Sequence, residues 1–153
     1  MASITYAEIY SRFYARVNDY KLATMPEDQW NGVAYSWLHS VASKPYVRRL
    51  FASISLDDEI QTITYTLDVS VDDDTDEEFI KEVFSLGMIE VWVEPQLYNP
   101  LNTRQMFGSS AEKFYSQSSH ISELRSLYSD AQAKLGRVIS DWNVTWNSYL
   151  SEA

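Results

Sequence analysis

The chain has 153 residues, 45% hydrophobic and 22% charged, with a formal net charge of −10 and no cysteine, the composition of one globular domain without disulfides. Its two histidines, His39 and His120, lie 81 positions apart, and its glycines, Gly32, Gly87, Gly108 and Gly136, are scattered singly; a thiolate or imidazole zinc site and a glycine-rich phosphate loop are both excluded. Four glycines and four prolines are also few for closely spaced β-turns, so helices should dominate.

Residues 1–6 lack the basic and apolar regions of a signal peptide, which with the missing cysteines predicts a cytosolic or virion-interior protein. Thr5-Tyr6-Ala7-Glu8 has the spacing of a capping box and predicts a helix over 6–18, whose apolar residues Tyr6, Ile9, Tyr10, Phe13 and Val17 share one aromatic-rich face. Pro26 suits the first turn of a second helix with the stripe Trp30, Val33, Ala34, Trp37, Leu38 and Val41, ending near Ser43-Lys44-Pro45. Two helices joined by a short loop predict an antiparallel helical hairpin.

At Ile63 the period changes from helical to two. Ile63, Tyr65, Leu67, Val69 and Val71 alternate with polar residues over 62–71, which predicts a strand. One strand alone leaves its N–H and C=O groups unpaired. Its partner is either the stretch 46–54, with Arg48 and Arg49, or another subunit; the second option makes Ile63, Tyr65, Leu67 and Val69 an intersubunit strand and favours an oligomer.

Thr75-Asp76-Glu77-Glu78 reads as a second capping box, opening a helix with Phe79, Ile80, Val83, Phe84, Met88, Val91 and Trp92 on its apolar face and stopping before Pro95. Gly87 weakens that helix by about 1 kcal/mol relative to alanine, and Ile89, Val91 and Val93 also permit a short strand. Residues 96–108 read as a loop, and Ser109-Ser110-Ala111-Glu112 as the cap of one short turn around Lys113-Phe114-Tyr115. A last helix over 119–149 would be roughly 45 Å long. Its seam of Ile121, Leu124, Tyr128, Ala131, Leu135, Val138, Trp142, Thr145 and Tyr149, with Trp146 beside it, steps by three and four. The first half of the seam suits packing on the hairpin, whereas Trp142, Trp146 and Tyr149 lie where partner contact is at least as good a reading. Tyr128, Leu135, Trp142, Trp146 and Tyr149 are the candidate partner-binding set.

The charge is local. Thirteen of the acids and only one base, Lys81, fall between Asp57 and Glu94, so this stretch carries −12 and the remainder +2. Asp72, Asp73, Asp74 and Asp76 suit a solvated helix start, or a surface facing a lumen that repels phosphates; the run lacks the turn glycine of a calcium loop, and no metal is expected. No serine sits in a G-x-S-x-G elbow, and carboxylates alone nominate no acid or base. Binding or assembly is a better reading than enzyme.

Several stretches carry a resemblance. Ile4-Thr5-Tyr6-Ala7-Glu8-Ile9-Tyr10-Ser11-Arg12-Phe13, then Leu86-Gly87-Met88, Val91-Trp92 and Glu94-Pro95-Gln96-Leu97, then Lys113-Phe114-Tyr115-Ser116-Gln117 and Glu123-Leu124-Arg125-Ser126-Leu127-Tyr128 resemble small virion proteins of tailed phages and prophages, the head-to-tail connector or neck family. The resemblance covers the two ends and the helix after the strand, while residues 46–76 depart from the plainer helical linker of that family. It implies a mostly helical subunit; with the residue patterns above, the expected fold is mainly α, a helical hairpin plus a long C-terminal helix, with one β-strand or hairpin inserted in the middle where the chain departs from the family. It also implies a non-enzymatic portal adaptor without cofactor, a homo-oligomeric ring of about twelve copies between the portal and the tail or neck proteins, with DNA passing nearby and no membrane contact. A tail-completion or tail-terminator protein, and a non-viral helical binding module, are the alternatives.

Overall fold

A computed structural model describes residues 2–19, 27–97 and 111–144. In chain order these form β1 (Ala2–Thr5), α1 (Tyr6–Asp19), α2 (Glu27–Ala42), a single turn α3 (Pro45–Arg48), β2 (Phe51–Asp57), β3 (Thr62–Leu67), α4 (Asp73–Leu97) and α5 (Ala111–Val144). The chain is mostly helical, with one small antiparallel sheet of order β1-β3-β2.

The capping box at Thr5 forms as its spacing requires. The Thr5 N–H donates to Glu8 Oε2 at 3.0 Å, and the Glu8 N–H reaches back to Thr5 Oγ1 at 3.4 Å, so two otherwise orphaned donors are satisfied where β1 turns into α1. Tyr6, Ile9, Phe13 and Val17 are all buried, which makes the four-three-four stripe the inner face of α1. The second capping box is displaced. Asp72, not Thr75, is the N-cap: its Oδ1 accepts the Thr75 N–H at 2.7 Å and the helix starts at Asp73. At the other end α4 runs through Pro95 to Leu97. A proline so near the end removes one hydrogen bond from the final turn only, which the packing of the rest of the helix outweighs.

Every position of α4 from 83 to 90 is buried. A helix enclosed all round has no polar face, which is why its pattern was ambiguous with a strand around Ile89. α1, α2 and α5 each pack along it. Phe13 of α1 meets Trp37 of α2 and Trp92 of α4 edge to face, at 5.8 and 6.2 Å between ring centres. Gly87 explains itself here, because a Cβ at that position would lie 2.6 Å from Val41 Cγ1, and the missing side chain is what lets α2 approach α4 so closely.

The strand expectation needs correcting in its partners. β3 is the central strand, with Ile4 opposite Ile63 on one side and Leu56 opposite Ile63 on the other, and Ala2 and Ile54 flanking Tyr65 in the same way. Ile63, Tyr65 and Leu67 are buried against the chain's own core and pair within the chain, so they are not an intersubunit strand. Val69 lies beyond the strand's end. The hairpin turn between β2 and β3 is built by Asp57, whose Oδ1 accepts the N–H groups of Glu59 and Ile60 at 3.0 and 3.4 Å, and by Gln61 in the left-handed region at φ 50°. The Tyr6 N–H donates to the Gln61 carbonyl at 2.9 Å, so the start of α1 is tied to this turn.

Candidate functional site

α5 lies antiparallel on α4, with Trp142 beside Phe79 and Leu127 and Ala131 near Leu86 and Ile89. Leu124, Leu127, Ala131 and Leu135 are buried, and Tyr128, Val138, Ile139 and Trp142 pack half-buried against them. The heptad-like seam is therefore real, but its target is intramolecular. This corrects the partner-binding reading of Leu135 and Trp142, because Leu135 is only 2% exposed and the Trp142 ring is stacked on Phe79. Tyr128 likewise lies on the flank of the core. Trp146 and Tyr149 lie outside the described residues, as do the connection 20–26 and most of the loop expected over 96–108.

The acidic run divides by function. Asp73 and Asp74 are exposed, and exposed Asp72 is the cap, with its carboxyl held below the usual range by the Thr75 N–H and hydroxyl. For Asp76 the lumen-facing expectation is corrected. This residue is buried, and its carboxylate accepts hydrogen bonds from the Ser70 hydroxyl and from the Val71 N–H at 2.8 Å, closing the link between β3 and α4. Its value is structural, since the two donors satisfy a carboxylate that would otherwise be buried without a partner. Among the described residues no group of three or more acidic or histidine side chains is arranged to hold a metal ion.

Three polar constellations escaped the sequence reading, because each joins residues distant in the chain. In the first, Arg12 and Arg16 of α1 reach across to Glu78 and Glu82 of α4, Arg16 Nη2 lying 2.6 and 2.9 Å from the two Glu82 oxygens, while Lys134 of α5 stands 3.8 Å from Glu82. The hydrogen bond from Arg12 holds the Glu78 carboxyl below its ordinary range. Arg12, Arg16, Glu82 and Lys134 line an open groove of about 760 Å³, and a smaller cavity of about 190 Å³ opens beside Arg16 and Lys134 over Leu86, Ile89, Leu127 and Ala131. With each guanidinium already facing a carboxylate, the groove works as a clamp tying three helices rather than as a free anion site.

The second constellation is at the β2–β3 turn. The Tyr6 hydroxyl donates to Asp58 Oδ1 at 2.6 Å and His39 Nε2 lies 2.7 Å from the same oxygen, so α1, α2 and the turn meet on one carboxylate. The Tyr6 and His39 contacts lower the Asp58 pKa, while burial and Asp58 itself push the Tyr6 phenol up. The shared carboxylate ties α1 and α2 to the β2–β3 turn. In the third, Glu90 is 4% exposed on α4, with Lys44 Nζ 3.6 Å away and the Tyr46 hydroxyl hydrogen-bonded nearby. Burial pushes the Glu90 carboxyl up, partly offset by Lys44.

No helix among the described residues is long and apolar enough to cross a membrane. No protein-family model, curated protein or solved structure matches the chain.

Proposed function

We propose that the chain is a structural subunit of a head-to-tail connector, a portal adaptor that assembles as a homo-oligomeric ring between the portal and the tail or neck proteins of a virion and continues the DNA channel. The observation that carries the reading is the distribution of charge on the surface. Asp68, Asp72, Asp73 and Asp74, where β3 leads into α4, are all exposed. Carboxylates so placed repel phosphates, and a channel wall must let the duplex slide past without holding it. The stretches that carry the connector resemblance also fall on β1–α1, α4 and α5, the elements that build the core. Assembly would occur in the host cytoplasm before the subunit joins the virion neck.

The test is negative-stain imaging of the purified chain together with a mass measurement of the assembled particle. A ring of about twelve copies is the expected result, a ring of about six would point to a tail terminator instead, and a monomer at all concentrations would remove the ring.

A further inference from the structure

Residues 44–49 carry three cations and no carboxylate in a chain that is acidic overall. Lys44 turns inward to Glu90, but Arg48 and Arg49 at the end of α3 are exposed, and among the described residues neither forms an ion pair. Arg48 spends one N–H on the Phe51 carbonyl at 2.9 Å. Asp68 is their acidic neighbour across the ladder, its N–H donating to the Leu50 carbonyl, yet its carboxylate pairs with neither arginine. Tyr46, on the same turn, is 42% exposed.

The opposite end of β2 carries the opposite charge. Asp57, Asp58 and Glu59 are exposed there, followed by Ile60, which at 68% is the most exposed large hydrophobic residue among those described. This turn is held by the Asp57 carboxylate, by Asp58 against Tyr6 and His39, and by the Tyr6 N–H on Gln61, so Glu59 and Ile60 project from a braced support. β2 has seven residues, which sets the two surfaces about 20 Å apart, too far to meet within one chain.

We propose that a second copy of this chain joins them: the β2–β3 turn of one copy docks on the α3 surface of the next, Glu59 facing Arg49 and Ile60 covered against Tyr46. Two different patches on one subunit make a heterologous contact, which propagates around a ring when the rotation closes and along a filament when it does not. Its closure into a ring rests on the connector reading; the contact itself does not. The acidic turn satisfies the unpaired arginines and the exposed Ile60 together, whereas a phosphate backbone at α3 would satisfy only the arginines while meeting Asp68 and the excess negative charge of the chain.

The experiment uses Glu59→Arg and Arg49→Glu, because neither side chain has a hydrogen bond or ion pair within the described chain to lose. In sedimentation velocity each variant alone should self-associate at least about tenfold more weakly than the wild type, since like charges then face each other. An equimolar mixture should recover wild-type association, the two reversed surfaces matching each other and the two native ones likewise. Variants that assemble like the wild type, or a mixture no better than its components, would overturn the contact. As the chain has no cysteine, Glu59→Cys and Arg49→Cys add an independent readout: mixed under mild oxidation, they should cross-link to each other faster than either does to itself. Equal rates overturn the contact even where rings are seen, whereas biased cross-linking without rings keeps the contact and removes the ring. Loss of duplex DNA retention in Arg49→Glu with self-association unchanged would assign the α3 surface to phosphate and overturn the proposal.

Discussion

The Trp142 ring stacks on Phe79 with 4.1 Å between centres and 10° between planes, and its indole N–H donates to the Val69 carbonyl at 3.0 Å. One side chain thus joins α5, α4 and the segment leaving β3. Trp142→Ala should cost about 2 kcal/mol of stability, from lost aromatic contact and an unsatisfied carbonyl. Trp142→Phe, which keeps the stacking, should cost only about 1 kcal/mol. Urea unfolding of the two variants checks this. A Trp142→Ala chain as stable as the wild type but defective in assembly would return the residue to an interface.

Gly87 and Gly136 should respond oppositely to alanine. At Gly87 the added methyl meets Val41 at 2.6 Å, so Gly87→Ala should destabilise by about 1–3 kcal/mol despite the better helix propensity. Combining it with Val41→Ala should cost less than the sum of the two single changes, because the second removes the clash of the first. At Gly136, on α5, nothing lies within 4 Å of the new methyl, and Gly136→Ala should stabilise by up to about 1 kcal/mol. Thermal melts of the four variants measure both signs.

The acid limb of the stability curve should contain two opposed contributions. Asp58 and Glu78 are held below their ordinary values, by Tyr6 and His39 and by Arg12, so the stability they add is present above about pH 4 and lost as the pH falls through their folded values. Glu90 is raised by burial, so its contribution is complete below its ordinary 4.5 and declines as the pH climbs through its higher folded value. Glu90→Gln should therefore gain stability relative to the wild type with rising pH across that window, in urea unfolding at a series of pH values. A difference that stays flat with pH would show that Glu90 ionises in the folded chain as easily as in the unfolded one.

Thr5→Ala should remove about 1 kcal/mol by opening the capping box at the start of α1. Since Thr5 also ends β1, amide exchange should quicken both in the first turn of α1 and at Ile4. Exchange confined to the helix would separate the cap from the strand.

How much of this was legible in the residues depended on how local the cause is. The box at Thr5 and Glu8, the period-two run from Ile63 to Leu67 and the seam from Leu124 to Leu135 are decided within a few residues, and each stands in the structure. β1 went unread because four residues, Ala2 to Thr5, have no period of their own; their extended form comes from pairing with β3 some sixty positions later. Asp76 read as one more exposed acid because its burial depends on Ser70 and Val71 folding back on it. The spacing sets Trp142 on its seam, but nothing near it in sequence announces Phe79 as its neighbour. The Arg16–Glu82 and His39–Asp58 contacts are invisible for the same reason.

The sheet order β1-β3-β2 has a consequence for how the chain is made. β2 and β3 are neighbours in sequence and form a hairpin as soon as both exist, but β1 is translated first and its ladder partner emerges about sixty residues later, several seconds at ordinary rates of synthesis. During that interval Ala2 to Thr5 have no strand to join, and α1 has no turn at Gln61 to hold its first N–H. Within the sheet β1 is thus the strand that waits longest for its partner, so a change that slows the emergence of β3 would prolong the time for which Ala2 to Thr5 stay unpaired.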